Sequence, residues 1–171
     1  YKTVGDEAMQ LFERFKNRFV IAVSEQRVPG AEKVISDMDL DVLVLDDAYQ
    51  HRAIKPGFNI LMTDYNDPYF KDFVLPAGDL RESRSGASRA QIIMVSKCPN
   101  DLTEEKKQYF VSRIKPAYNQ KVFFSSIRYD ENIFSVNKKL PDNNLAYYDI
   151  LLITGIANPK PLVQHLAKFS Q

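Results

Sequence analysis

The sequence predicts an α/β protein: a three-layer arrangement with a mostly parallel sheet flanked by helices. Three observations carry that prediction. Short apolar runs rich in β-branched residues recur along the 171 residues. Helix-patterned stretches lie between them, as βαβ units require. The run at 42–45, Val-Leu-Val-Leu, is apolar at every position, like a strand buried on both faces of a parallel sheet, and it ends in Asp46 and Asp47. Open α/β sheets place their ligands at such carboxyl ends.

Taken in order, a helix is expected over 7–15, with Asp6 and Glu7 favourable at its positive amino end. A strand follows at 19–23, then a helix at 31–38 whose boundary Pro29-Gly30 marks. Strands are expected at 42–45 and 59–62. Residues 75–90 are rich in loop formers and charge with little apolar periodicity, and loops of this length are often functional. The next strand is 92–95. It leads to a helix over 103–114, with Thr103 as N-cap and Glu104 and Glu105 in the first turn. A strand at 122–124 precedes a surface excursion over 128–145. A strand at 150–154 and a helix at 160–169 complete the chain.

This length suits a single α/β domain, 1–171, able to bury a core. With 44% hydrophobic and 26% charged residues, the composition is that of a globular chain. A formal net charge of +1 lacks the basic excess of a dedicated nucleic-acid binder. One cysteine, Cys98, forms no internal disulfide, and with two histidines it cannot assemble a zinc site. No apolar run approaches the roughly 18 residues of a membrane span, and no signal peptide is visible. Tyr1 leads at once into a structured-looking segment without an initiator Met, which is expected of a piece of a longer protein.

Asp46 and Asp47 are the first residues with chemistry to explain. Successive strand residues point to opposite faces, so both carboxylates serve one site only where the pleat breaks. There they would hold Mg²⁺ beside phosphates; the alternative is one Asp capping a turn and the other solvated. Gln50, His51 and Arg52 offer an amide, an imidazole and a guanidinium to phosphate oxygens or sugar hydroxyls, or simply form a polar turn. Asp6 has the chemistry of a general base for a substrate hydroxyl, although spacing alone favours the helix-dipole role. In the 75–84 loop, Arg81 and Arg84 have the chemistry to clamp an anionic substrate, with Gly78 permitting close backbone approach; the alternative is an ordinary flexible connection with solvated charges. Lys97, just past a strand, is placed to contact a nucleotide, though lysines there are more commonly solvated. His165 falls near the apolar stripe of its helix and reads as structural. No Gly-x-x-x-x-Gly-Lys-Ser/Thr loop occurs in the sequence.

Four segments, in order, carry a resemblance: Val4-Gly5-Asp6-Glu7, Asp46-Asp47-Ala48-Tyr49-Gln50-His51-Arg52, Leu75-Pro76-Ala77-Gly78-Asp79-Leu80-Arg81-Glu82, and Thr154-Gly155-Ile156-Ala157-Asn158-Pro159. Together they resemble the tetraacyldisaccharide 4′-kinases of lipid A synthesis in Gram-negative bacteria. The resemblance implies a P-loop NTPase-like fold, incomplete here. It implies transfer of the γ-phosphate of ATP, with Mg²⁺, to the 4′-hydroxyl of a tetraacyldisaccharide 1-phosphate precursor, at the cytoplasmic face of the inner membrane. Asp6 matches the proposed catalytic base. Asp46 and Asp47 match the metal-supporting pair, with Glu7, Gln50, His51, Arg52, Gly78 and Arg81 around substrate and phosphate and Lys97 near nucleotide. Ala48, Tyr49 and Asp79 stand where Gly, Phe and Pro are usual. The family's Walker A loop and membrane-associating helix lie upstream of these motifs, and a histidine motif lies downstream, so this piece alone is expected to be inactive.

Three other readings fit parts of the pattern. One is a P-loop kinase or NTPase acting on a soluble substrate. Another is a phosphoacceptor domain using Asp64, which the 17 residues from Asp47 make too cramped when a βαβ unit takes about 30. The third is a non-catalytic α/β binding module.

Overall fold

The computed structural model describes residues 5–129, 150–156 and 158–169. The chain divides into two compact units, Tyr1–Ser125 and Ser126–Gln171. The expected excursion over 128–145 lies, from residue 130 onward, outside the described residues.

Three strands, β1 (Ile60–Asp64), β2 (Ile92–Cys98) and β3 (Lys121–Ser126), form a parallel sheet in the order β1-β2-β3. β1 and β2 pair from Ile60↔Ile92 to Asp64↔Ser96. Their β-branched content suits a pleated, half-buried surface. In β2, Ile93 and Val95 alternate inward, as a period of two dictates, and both are fully buried. Lys97 then takes a positive φ of 57°. The pleat breaks there, so the next inward residue is Cys98 rather than Lys97.

Helix α3 (Glu104–Ile114) covers this sheet. Thr103 caps it, its hydroxyl accepting from the Lys106 N–H at 3.3 Å. Phe110 is the centre of the packing: its ring stacks on Tyr65 at 5.0 Å and meets Phe70 edge-on at 5.5 Å. Phe70, Ala90, Ile93, Val95, Cys98, Phe110 and Ile114 make one continuous apolar core. Burial pushes the Cys98 thiol above its ordinary pKa, so it stays protonated and behaves as a small apolar residue.

The remaining helices are α1 (Asp6–Phe15), α2 (Arg27–Asp37) and α4 (Lys160–Leu166), none with a buried residue. α2 starts earlier than Pro29-Gly30 suggests, taking both into its first turn. Pro is tolerated there because its missing N–H would have no helical partner. Gly30 is required by contact: a Cβ would stand 2.5 Å from that of Ser24.

Residues 19–23, 42–45 and 150–154, expected as strands, form none. A strand exists by hydrogen bonding to a neighbour, and these runs have no ladder among the described residues. Val44 is 82% exposed and Ile153 86%. The acidic pair therefore follows an unpaired apolar segment instead of the end of a buried strand. Among the described residues no helix is long and apolar enough to cross a membrane.

Ile93→Ala should lower the unfolding free energy by about 2–5 kcal/mol, since it empties the fully buried centre of β2. Tyr118→Ala, at a fully exposed position, should stay within about 0.5 kcal/mol of the parent. Urea denaturation of both variants tests the assignment; equal midpoints would show that Ile93 is not core.

Candidate active site

The acidic turn is built by its backbone. Asp47 has φ 43°, in the left-handed region that Asp tolerates better than most residues. One Asp46 carboxylate oxygen accepts the Asp47 N–H at 2.9 Å. The chain then turns tightly, with the His51 N–H donating to the Ala48 carbonyl at 2.9 Å and the Ile54 N–H to that of His51 at 3.1 Å. With no strand before them, Asp46 and Asp47 belong to this turn and not to a pleated segment. Gln50, His51 and Arg52 ride on the same turn with exposed side chains.

The loop after β1 is closed on itself. The Leu80 N–H donates to the Phe73 carbonyl, and the Leu75 N–H to that of Leu80, each at 3.0 Å. Asp72 braces the loop by accepting from the Phe73 N–H at 2.7 Å and from the Asp79 N–H at 3.1 Å. Gly78 sits against that brace. A Cβ there would collide with the Asp72 carboxylate and lie 2.5 Å from the Phe73 carbonyl oxygen. The close approach that Gly78 permits is thus first of all to the loop's own backbone. Arg84 serves the loop as well, donating through Nε to the Asp72 carbonyl at 2.7 Å with its guanidinium 5.0 Å from the Phe73 ring centroid.

Turn and loop meet. Arg81 Nη1 lies 3.6 Å from Asp47 Oδ2, both side chains being largely exposed. Behind this pair, Tyr49 packs against the core and its hydroxyl donates to the Gly86 carbonyl at 2.9 Å. Burial raises the Tyr49 pKa, so the hydroxyl keeps its proton at neutral pH. Arg89, on the 3₁₀ turn Arg84–Arg89, donates to Glu82 at 2.6 Å and to the Tyr49 carbonyl at 3.2 Å.

At the carboxyl ends of β1 and β2, Lys97 Nζ pairs with Asp64 Oδ2 at 2.7 Å, and the Asn66 N–H donates to Asp64 Oδ1 at 2.8 Å. Burial pushes the Asp64 pKa up, but the hydrogen bonds from Lys97 and Asn66 and the lysine's charge outweigh it, leaving the carboxyl below its ordinary value. Asp6 and Glu7 stand in the first turn of α1, exposed. Among the described residues no hydrogen bond or ion pair joins them to the acidic turn.

The structure thus brings Asp46, Asp47, Gly78 and Arg81 to one neighbourhood, with Gln50, His51 and Arg52 beside them, while Lys97 engages Asp64. Sequence reasoning missed Arg89, Glu82 and Asp72 as organisers of the site. The charge density of 79–89 was the only signal, and it does not say which charges pair. Among the described residues no three His, Cys, Asp or Glu side chains gather into a metal cage. Two exposed carboxylates still fit Mg²⁺, which commonly takes one or two and completes its octahedron with water and substrate phosphates.

The tetraacyldisaccharide-1-P 4′-kinase family model matches residues 1–170. The chain belongs to this family. Among relatives named tetraacyldisaccharide 4′-kinase, that of Flavobacterium johnsoniae is 43% identical over 164 residues, covering 95% of this chain and 48% of the relative. That of Flavobacterium psychrophilum is 45% identical over 170 residues, again covering 95% and 48%. The Bacteroides thetaiotaomicron protein is 39% identical over 181 residues, covering 99% and 47%. The chain spans about half the length of the curated kinases it matches. No solved structure matches it.

The Asp64–Lys97 pair should give the chain an acid-sensitive contribution to stability. Because the folded Asp64 pKa is depressed below the usual value near 3.9, this contribution is complete above about pH 4–5 and is lost as pH falls through the folded value. Lys97 is more than half exposed, so the pair is worth no more than about 1 kcal/mol. Lys97→Ala should shrink the fall in melting temperature between pH 5 and pH 2, when each protein is compared with itself. Curves that run parallel throughout would assign Asp64 no such role.

Proposed function

We propose that the parent protein of this chain phosphorylates the 4′-hydroxyl of a tetraacyldisaccharide 1-phosphate lipid A precursor with ATP, at the cytoplasmic face of the bacterial inner membrane. The observation that carries this reading is the family match across the chain, since it includes all the segments that bear candidate chemistry. The close approach of Arg81 to Asp47 supports it, because it puts anion- and cation-binding groups side by side, as a site for a metal–phosphate complex needs. A P-loop NTPase-like architecture for the parent belongs to the same reading, as does membrane contact through other parts of the parent.

In this mechanism Asp6 accepts the proton of the acceptor hydroxyl as its oxygen bonds to the γ-phosphorus and the bond to ADP breaks. Asp46 and Asp47 would hold Mg²⁺, which when bound neutralises charge on the transferring phosphoryl group. Arg81 and the Gln50-His51-Arg52 run orient phosphate oxygens and sugar hydroxyls by charge-assisted hydrogen bonds. Gly78 keeps the loop backbone closed so that Arg81 projects from a fixed base. Lys97 lies on the nucleotide side of this scheme. The sequence has no glycine-rich Lys-Ser/Thr phosphate loop, so residues 1–171 alone should not transfer phosphate.

Asp6→Asn in the full-length parent should lower kcat by about 10²–10⁴-fold with the KM for ATP little changed. Asp47→Asn should instead raise the Mg²⁺ concentration needed for half-maximal rate. Radiolabelled transfer from ATP to the disaccharide, with simple sugars and nucleosides as competing acceptors, reads both. Preferred transfer to a soluble acceptor would replace the lipid assignment with a different kinase, and equal loss of kcat and ATP affinity would remove Asp6 as the base.

A further inference from the structure

Asp47 and Arg81 are both exposed and flexible in kind, and an isolated surface pair 3.6 Å apart would not hold a geometry by itself. What lies immediately behind them is different. Arg89 is 31% exposed and Glu82 25%. A single nitrogen, Arg89 Nη2, donates both to Glu82 Oε1 at 2.6 Å and to the carbonyl of Tyr49 at 3.2 Å, forty residues away. The guanidinium carbon also stands 4.7 Å from the Tyr49 ring centroid. From the other side, the Tyr49 hydroxyl donates to the Gly86 carbonyl. Gly86 leaves room for this closure: a Cβ there would come within 2.8 Å of the Glu82 carboxylate and 3.0 Å of Arg89 Nη1.

The result is a closed circuit, Arg89 to Glu82 to the 3₁₀ turn to Tyr49 and back to Arg89. Tyr49 lies two positions after Asp47, and Glu82 one after Arg81. We infer that Arg89 is a positioning residue: by tying the Tyr49 backbone and ring to Glu82, it sets the acidic turn against the 75–84 loop and so fixes where the Asp46-Asp47 carboxylates stand relative to Arg81. The role needs two hydrogen bonds from one end of a flat, charged group that also lies over an aromatic face; a lysine ammonium has protons enough for the bonds but no flat face to set on the ring. The hydrogen bond to Glu82 raises the Arg89 pKa further, so the guanidinium keeps its charge. The inference rests on the reading of Asp46 and Asp47 as metal-supporting carboxylates.

The test uses the full-length parent with Arg89→Ala, Arg89→Lys and Glu82→Gln. Mn²⁺ binding is followed by electron paramagnetic resonance, which needs no turnover, and Mg²⁺ dependence of the rate is measured beside it. Arg89→Ala should weaken Mn²⁺ binding by about 10- to 100-fold, as loss of a partner that orients metal ligands does. The Mg²⁺ half-saturation should rise in parallel while the KM for ATP holds. Arg89→Lys, keeping charge and the Glu82 contact only, should recover a minor part. A purely structural role would lower the melting temperature and active fraction without moving metal affinity. Should Arg89→Ala fail to fold, Arg89→Lys and Glu82→Gln decide: folded variants with wild-type Mn²⁺ affinity overturn the inference. If the wild-type parent binds Mn²⁺ but does not phosphorylate the disaccharide, the kinase reading fails and Mn²⁺ affinity alone judges Arg89. If the wild type binds no Mn²⁺, the metal reading fails and the inference falls with it.

Discussion

The parallel pairing of β1 with β2 is the constraint on which the Tyr1–Ser125 unit depends. Parallel strands need a crossover between them, and here the crossover runs from Asp64 to Ile92. It carries the brace of Asp72, the Gly78 turn, Arg81, and the 3₁₀ turn with Arg89. Once Ile93 and Val95 are buried beneath Phe110, the ends of this connection are anchored, and its charged middle has little freedom to wander. The site's loop is therefore held by a ladder that contributes no chemistry of its own. The same ladder sets Asp64 opposite Ser96, which brings Lys97 within reach of the Asp64 carboxylate.

Of the four described non-glycine residues with positive φ, Asp47 and Lys97 mark places where a regular pattern is broken to chemical effect. At Lys97 the break ends the alternation of β2 and sends a cation out of the sheet while Cys98 turns in. At Asp47 it turns the chain sharply enough for a neighbouring carboxylate to accept its amide. Such conformations persist only where the surroundings over-determine them. For Asp47 those surroundings are the tight hydrogen bonds of residues 48–54 and the seating of Tyr49 on the core. The turn so held carries the Asp47 carboxylate that lies 3.6 Å from Arg81.

The apolar runs at 42–45 and 150–154 form no strand. Val42, Val44, Leu151 and Ile153 are exposed to an extent that costs hydrophobic stabilisation. Their β-rich composition is that of strands, and only a neighbour with free backbone groups can make them so. Helix α1 likewise presents Leu11 and Phe12 outward.

From the sequence by itself came the α/β class, the strands at 60–64, 92–98 and 121–126 to within a few residues, the Thr103 cap, and the segments that place the chain in its family. Those are local matters: periodicity, β-branched content, a hydroxyl before two glutamates, a short motif. The strands expected at 19–23, 42–45 and 150–154 show the limit, because pairing is a property of two segments and composition speaks of one. Likewise Asp46, Asp47 and Arg81 were legible as chemistry, but Arg81 meeting Asp47 and Arg89 reaching Tyr49 were not. Contacts across thirty or forty residues depend on how the crossover folds back, and that was decided only when the core of Ile93, Val95 and Phe110 closed and left the loop one way to lie.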